Sequence, residues 1–259
     1  MKLHFLYKFA TLNKSKTMNT IEVCFTPVLF EHILTKDNYA VAVIDVLRAT
    51  TSICTAFEYG VEKIIPVASD EEAIAKKKDN FLIAAEEDGI TLYYADFGNS
   101  PFFFKNPYLK GKQIVYKTTN GTKAIRLAKN SNKIIIASFL NISAVANWFE
   151  KENLNAVLLC AGWKDKFNIE DTLLAGAIAQ KLSILPNFKI ECDSANAAID
   201  LWVKASENPV EYIQKAMHRE RLRKLGLDDV IEYCFTNDTT SIVPEYNGKE
   251  IIRSLRFEV

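Results

Sequence analysis

Residues 40–60 read AVAVIDVLRATTSICTAFEYG. Ala40 to Ile44 form an unbroken apolar run rich in β-branched residues, which describes a strand buried on both faces rather than one that alternates. Asp45 ends the run. Thr50, Thr51 and Ser52 then open a helix, and Tyr59-Gly60 closes it. Buried strand, polar turn and helix make up the repeating unit of parallel sheets.

The plan recurs along the chain. IEVCF leads into PVLFEHIL, KIIPVA into DEEAIAKKK and QIVYKTT into GTKAIRLAKN; KIIIASF leads into NISAVANWFEKE, and NAVLLCAG, after a charged loop, into EDTLLAGAIAQKL. The expected class is α/β: one or more mainly parallel sheets with flanking helices. Beyond residue 193 the pattern changes. SANAAIDLWVKA, NPVEYIQKAM and HRERLRKLGLDD read as consecutive helices, a strand is expected near VIEYCF, and SIVPEYNGKEIIRSLRF reads as a hairpin turning at Asn-Gly. With no Pro/Gly/Ser-rich linker, residues 18–259 are read as a single domain. If it has two lobes with a cleft between them, their boundary falls near residue 130, in KNSNK. Residues 1–17 carry four lysines and no acid, and are read as a disordered extension or a start site set too far upstream.

The 259 residues contain 32 Lys plus Arg and 32 Asp plus Glu. This balance speaks against a nucleic-acid partner, because such binders carry a basic excess. The longest apolar run is too short to span a membrane. Five cysteines, odd in number, widely spaced and lacking CxxC, argue against a disulfide framework or a zinc site and for a cytoplasmic protein with reduced thiols.

Open parallel sheets bind ligands at the carboxyl ends of their strands. The first turn there offers Asp45 and Arg48 ahead of Thr50 and Thr51. A helix start favours an anion, and a guanidinium fork suits phosphate or sulfonate. Helix capping and an Asp45–Arg48 ion pair are the plainer readings. The second turn, Thr118-Thr119-Asn120-Gly121-Thr122, offers hydroxyls and amides to phosphate oxygens, although as a lone motif it is only a capped helix start. The third runs from Cys160-Ala161-Gly162 to Glu170-Asp171. With Asp45 and Glu86 on other strand ends, these acids become candidates for magnesium, which prefers hard oxygen ligands. The fourth, Gly98-Asn99-Ser100-Pro101, is in most proteins a turn. Two phosphatase schemes fail on spacing: Lys166 stands where CxxxxxR needs Arg, and Leu47 where DxD needs Asp.

Taken together and in order, VIDVLRATTSICTAFEYG, AEEDG, DFGNSP, TTNGT, SFLN, LLCAGWKDKFNIEDTLLAGA and HRERLRKLG resemble the 2-phosphosulfolactate phosphatase family over residues 21–246. The resemblance implies that family's own α/β fold with its site in a cleft. It also implies magnesium-dependent hydrolysis of 2-phospho-3-sulfolactate to 3-sulfolactate, a step of coenzyme M synthesis. The polar positions it carries over are Asp45, Arg48, Glu86, Asn99, Ser100, Thr119, Asn120, Thr122, Glu170 and Asp171. From the chemistry of these residue types we expect Asp45, Arg48, Glu86, Asn120 and Asp171 in catalysis. Thr50, Thr51, Asn99, Ser100, Thr119, Gly121, Thr122, Gly162 and Lys164 are expected to bind substrate, and Asp45, Glu86, Glu170 and Asp171 to hold Mg2+. The partner is a small anionic phosphorylated substrate, and a homodimer is left open. One departure stands out. The family pattern has Glu-Arg where this chain has Glu86-Glu87, so Lys117, Lys164, Lys166, Arg219 or Arg221 would have to supply the lost cation. The alternatives are a phosphatase of another small phosphorylated carboxylic or sulfonic acid, and a non-catalytic anion-binding homologue.

Overall fold

Among the described residues eleven strands form one sheet: β1 (Asn19–Cys24), β2 (Tyr39–Ile44), β3 (Lys63–Pro66), β4 (Leu82–Glu87), β5 (Ile90–Thr91), β6 (Gln113–Lys117), β7 (Lys133–Ala137), β8 (Asn155–Cys160), β9 (Phe188–Ile190), β10 (Pro244–Tyr246) and β11 (Ile251–Arg253). This computed structural model describes residues 18–33, 37–77, 79 and 81–254. The expected extension, residues 1–17, lies outside the described residues. The helices are α1 (Ala49–Glu58), α2 (Asp70–Lys77), α3 (Pro101–Phe104), α4 (Gly121–Leu127), α5 (Ile142–Glu152), α6 (Ile169–Ser183), α7 (Asp193–Ala205), α8 (Pro209–Tyr212), α9 (Met217–Lys224) and α10 (Ile231–Cys234).

The strand order is β5-β4-β6-β3-β11-β10-β7-β2-β8-β1-β9. Strands β7, β2, β8, β1 and β9 are mutually parallel, as are β3, β6 and β4. The C-terminal hairpin β10–β11 lies between the two groups and pairs antiparallel with β7 and with β3. Three antiparallel steps therefore reverse the direction of β3, β6 and β4 relative to the larger group. Neighbouring strands turn by roughly 20–25° each. Five steps from β6 to β2 thus turn the strand by roughly 100–125°, which lets the carboxyl ends of two oppositely running groups reach one cleft.

The apolar runs bury both faces of the central strands, as the sequence predicts. On β2, Ala40, Ala42 and Ile44 face a core layer shared with α5, α6 and α7. Val41 and Val43 face the opposite layer, with α1 and α4. Burying a Val, Leu or Ile side chain stabilises by about 1.5–3 kcal/mol, so the strand is held from both sides. Gly176 in α6 sits against the Ala198 carbonyl of α7, where no side chain fits. Asn141, fully buried, donates to the Ile136 and Ile242 carbonyls and ties the C-terminal segment to the end of β7.

One expectation fails. VIEYCF is not a strand; Ile231–Cys234 is a helical turn. Ile231 and Cys234 are buried three residues apart, and Cys234 N–H donates to Val230 O. The short segment carries helical spacing that its β-branched composition obscures. The hairpin is present, with Asn247 N–H donating to Glu250 O across its turn.

Candidate active site

Four strand-end turns and one C-terminal helix enclose a cleft with an empty volume of about 330 Å³ that includes its open mouth. Asp45, Leu47 and Arg48 come from the turn after β2; Glu86, Asp88 and Gly89 follow β4; Thr119 and Asn120 follow β6; Trp163 follows β8. Asn99 comes from the loop before α3, and His218, Arg221 and Leu222 from α9.

Buried carboxylates bind these turns to one another. Asp171, in the first turn of α6, accepts from Val46 N–H at 2.8 Å and Gly162 N–H at 3.0 Å, joining the turns after β2 and β8. Asn168 Nδ2 also donates to it, at 3.0 Å. Glu86 accepts from Thr119 N–H at 2.7 Å and Gly89 N–H at 2.6 Å, joining the turns after β4 and β6. Asn120 Oδ1 accepts from Lys164 N–H at 3.1 Å, joining the turns after β6 and β8. Gly121 closes the ring: a Cβ there would stand 2.6 Å from Ala49 Cβ and 3.0 Å from Asp45 Oδ2. Only a residue without a side chain lets α4 approach Asp45 so closely.

The hydroxyls of the first two turns act mainly within those turns. Thr50 Oγ1 donates to Asp45 O and accepts from Asp45 N–H. Thr51 Oγ1 donates to Val46 O, and Thr122 Oγ1 to Thr118 O. Ser100 accepts from Phe102 N–H at the start of α3. Thr50, Thr51, Ser100, Gly121, Thr122, Gly162, Lys164, Glu170 and Asp171 are therefore held around the cleft without lining it. Asp45, Arg48, Glu86, Asn99, Thr119 and Asn120 do line it.

The electrostatics concentrate on Asp45. Burial pushes its carboxyl up to about 6; His218 and the Ala49 N–H pull it down, and the carboxylates Glu86 and Glu170 raise it. For Asp171, burial and the neighbouring Asp45 and Glu170 push the carboxyl up, against the donors Val46 and Asn168. Arg48 is 4% exposed and donates to Gly89 O at 3.4 Å. It makes no ion pair with Asp45 among the described residues, so the plainer reading of that pair does not hold. Arg221 donates to Asp88 O and lies 4.7 Å over the Trp163 ring. Cys160 is fully buried and does not line the cleft, and burial pushes its thiol well above its ordinary value.

Of the cations expected to offset Glu87, Lys117 pairs with Asp70 and Lys164 with Asp88. Arg219 donates to Val210 O, and Lys166 is exposed. Arg221 alone among them lines the cleft. Glu87 itself is exposed and lies outside the lining, because successive strand residues face opposite ways and Glu86 faces in.

Residue typing at strand ends missed His218. Its Nδ1 lies 2.7 Å from Glu170 Oε1, and its ring stacks on Trp163 at 6.5 Å and 22°. The signal was present as His218, Arg221 and Leu222, spaced i, i+3, i+4 on one face of a charged helix.

A cation would meet hard oxygen here. Among the described residues no three His, Cys, Asp or Glu side chains are gathered as a metal cage. Magnesium keeps several waters and needs only one or two carboxylates. Asp45 and Glu86 both line the cleft, so the donor chemistry fits. Glu170 and Asp171 do not line it: Glu170 turns Oε1 to His218 and leaves Oε2 buried without a hydrogen-bond partner, and Asp171 turns both oxygens to N–H donors.

The sequence profile described as 2-phosphosulpholactate phosphatase matches residues 24–249. A protein of Carboxydothermus hydrogenoformans named probable 2-phosphosulfolactate phosphatase is 38% identical over 241 residues, 91% of this chain and 98% of its own. One of the same name from Thermotoga maritima is 39% identical over 213 residues, 82% and 91% of the two chains. A third, from Caldanaerobacter subterraneus subsp. tengcongensis, is 38% identical over 209 residues, 79% and 86%. The match spans every turn that lines the cleft, and the chain belongs to the 2-phosphosulfolactate phosphatase family.

Proposed function

We propose that this chain hydrolyses 2-phospho-3-sulfolactate to 3-sulfolactate and phosphate, with magnesium as cofactor. The observation that carries the reading is a small cleft lined by two arginines, Arg48 and Arg221, and by the carboxylates Asp45, Glu86 and Asp88, the last paired with Arg221. A substrate with a phosphoryl group at one end and a sulfonate at the other needs two separate cationic contacts, and a divalent cation needs carboxylate oxygens. The names of the relatives support the same ester.

In the mechanism, Arg48 engages the phosphoryl oxygens with its planar fork. The side-chain amides of Asn120 and Asn99 are neutral donors available to them. Arg221, stacked on Trp163, receives the sulfonate. Asp45 and Glu86 would hold magnesium, which supplies positive charge to the phosphoryl group when bound. Water attacks phosphorus as the ester P–O bond breaks, and the electron pair leaves with the lactate oxygen. Phosphoryl transfer depends mainly on positioning and charge stabilisation, which this set provides. Asp45 as a covalent nucleophile is the second mechanistic reading, favoured by its place on the cleft lining. Stereochemistry at phosphorus separates the two: hydrolysis in oxygen-17 water of a phosphorothioate ester made chiral with oxygen-18 inverts configuration by direct attack and retains it through an aspartyl intermediate.

The proposal includes a cytoplasmic setting and a coenzyme M route. The setting is supported by five free cysteines among the described residues. Among the same residues no helix is long and apolar enough to cross a membrane. A panel of phosphate esters with and without a sulfonate tests the substrate. Preference for the sulfonated ester is expected. Equal rates on unsulfonated acids point to the broader phosphatase, and ligand-induced stabilisation without phosphate release to an anion-binding homologue.

A further inference from the structure

Buried Glu170 and half-buried His218 form a pair between α6 and α9 that the mechanism above does not use. Glu170 is 0% exposed, and its Oε1 lies 2.7 Å from His218 Nδ1. The His218 ring is fixed on a second side by stacking on Trp163. His218 lines the cleft together with Asp45, whereas Glu170 does not. The two ring nitrogens lie on opposite edges of an imidazole. With Nδ1 engaged by the buried carboxylate, Nε2 is the ring nitrogen left to meet a substrate in the cleft that His218 lines.

We propose that His218 is a catalytic residue that protonates the leaving oxygen of the substrate, and that Glu170 is its positioning residue rather than a cation ligand. The inference rests on the phosphatase reading and names a residue for that same site. The step balances. As the P–O bond breaks, its electron pair stays on the lactate oxygen, which takes the proton from Nε2; the attacking water gives its oxygen to phosphorus and releases a proton that restores the imidazole. An aliphatic alkoxide is a poor leaving group, so this proton lowers the barrier most when P–O cleavage is far advanced. Glu170 sets the ring's orientation by holding Nδ1.

The test uses the full chain with magnesium and compares wild type, His218→Asn and Glu170→Gln on 2-phospho-3-sulfolactate. It measures kcat, KM and the oxygen-18 isotope effect at the bridging ester oxygen. The proposal predicts that His218→Asn lowers kcat by about 100-fold or more, leaves KM within about threefold, and enlarges the isotope effect because the oxygen now leaves unprotonated. Glu170→Gln keeps an acceptor for Nδ1–H but loses the charge; its kcat falls less and its isotope effect shifts the same way. Melting curves close to wild type show that both variants fold. If His218→Asn raises KM while keeping kcat, or lowers kcat with the isotope effect unchanged, the proposal is overturned. If wild type ignores this ester but hydrolyses another, only the substrate reading fails, and the same measurements on that other ester decide the role of His218. A wild type inactive on every phosphate ester overturns both.

Discussion

Gly121 stands so close to Asp45 that an added Cβ would lie 3.0 Å from Asp45 Oδ2 and 2.6 Å from Ala49 Cβ. The contact brings together turns from two strand groups that run in opposite directions, and it holds Asp45 where that residue lines the cleft. Gly121→Ala is therefore expected to push α4 away from α1. Overpacking of this kind costs about 1–3 kcal/mol. The check is a denaturant midpoint beside a kinetic assay: both stability and phosphate release should fall, and a variant with wild-type stability and rate removes the contact from the account.

Asp171 holds Val46 N–H and Gly162 N–H with its two oxygens. Asp171→Asn places an amide where one of these donors needs an acceptor, leaving a buried N–H unpaired. The expected loss is about 1–3 kcal/mol, visible in urea unfolding. Unchanged stability would mean that the carboxylate is dispensable as a brace.

Asp45 gives a pH dependence with a definite sign. Its folded carboxyl is pushed up to about 6 from 3.8, with burial the largest cause. A raised acid is destabilising once the unfolded chain ionises, so the metal-free protein loses stability between about pH 4 and pH 6. About two pKa units correspond to roughly 3 kcal/mol. Asp45→Asn should flatten this part of the profile and melt higher than wild type at pH 7 in chelator. A cation bound at Asp45 should narrow the difference, so magnesium should raise the wild-type melting temperature more than the variant's.

Arg221 lines the cleft and Glu87 does not. Arg221→Ala removes a charge-assisted contact of about 2 kcal/mol, which corresponds to a KM for the sulfonated ester raised roughly 30-fold. Glu87→Arg restores the family pattern on an exposed face and should shift stability by no more than about 0.5 kcal/mol, with KM nearly unchanged. A large gain from Glu87→Arg would mean that the exposed strand face takes part in binding.

Much of the fold was legible in the chain, because buried parallel strands leave unbroken apolar runs such as Ala40–Ile44, and Asn247-Gly248 announces its hairpin. The reversal of β3, β6 and β4 was not legible. It depends on a C-terminal hairpin inserting between two strand groups, and pairing partners so distant in sequence leave no local pattern. In the site, strand-end turns pointed to Asp45, Arg48, Glu86, Asn99, Thr119 and Asn120. Thr50, Thr51 and Thr122 look like binding residues in the sequence because hydroxyls at a helix start have the same appearance whether they meet a phosphate or their own turn. His218 was missed for the opposite reason: its pairing with Glu170 joins residues 48 positions apart, and a lone histidine on a charged helix carries no sign of its partner.

The central claim is that Asp45, set among these turns, supports metal-assisted hydrolysis of a sulfonated phosphate ester. Phosphate release from 2-phospho-3-sulfolactate, measured for wild type and Asp45→Asn with magnesium and again with excess chelator, tests it most directly. The account predicts release by wild type with magnesium, its loss in chelator, its return when magnesium is restored, and little release by the variant under either condition. Equal release by wild type with and without chelator, or an Asp45→Asn variant that turns over at the wild-type rate, would contradict it.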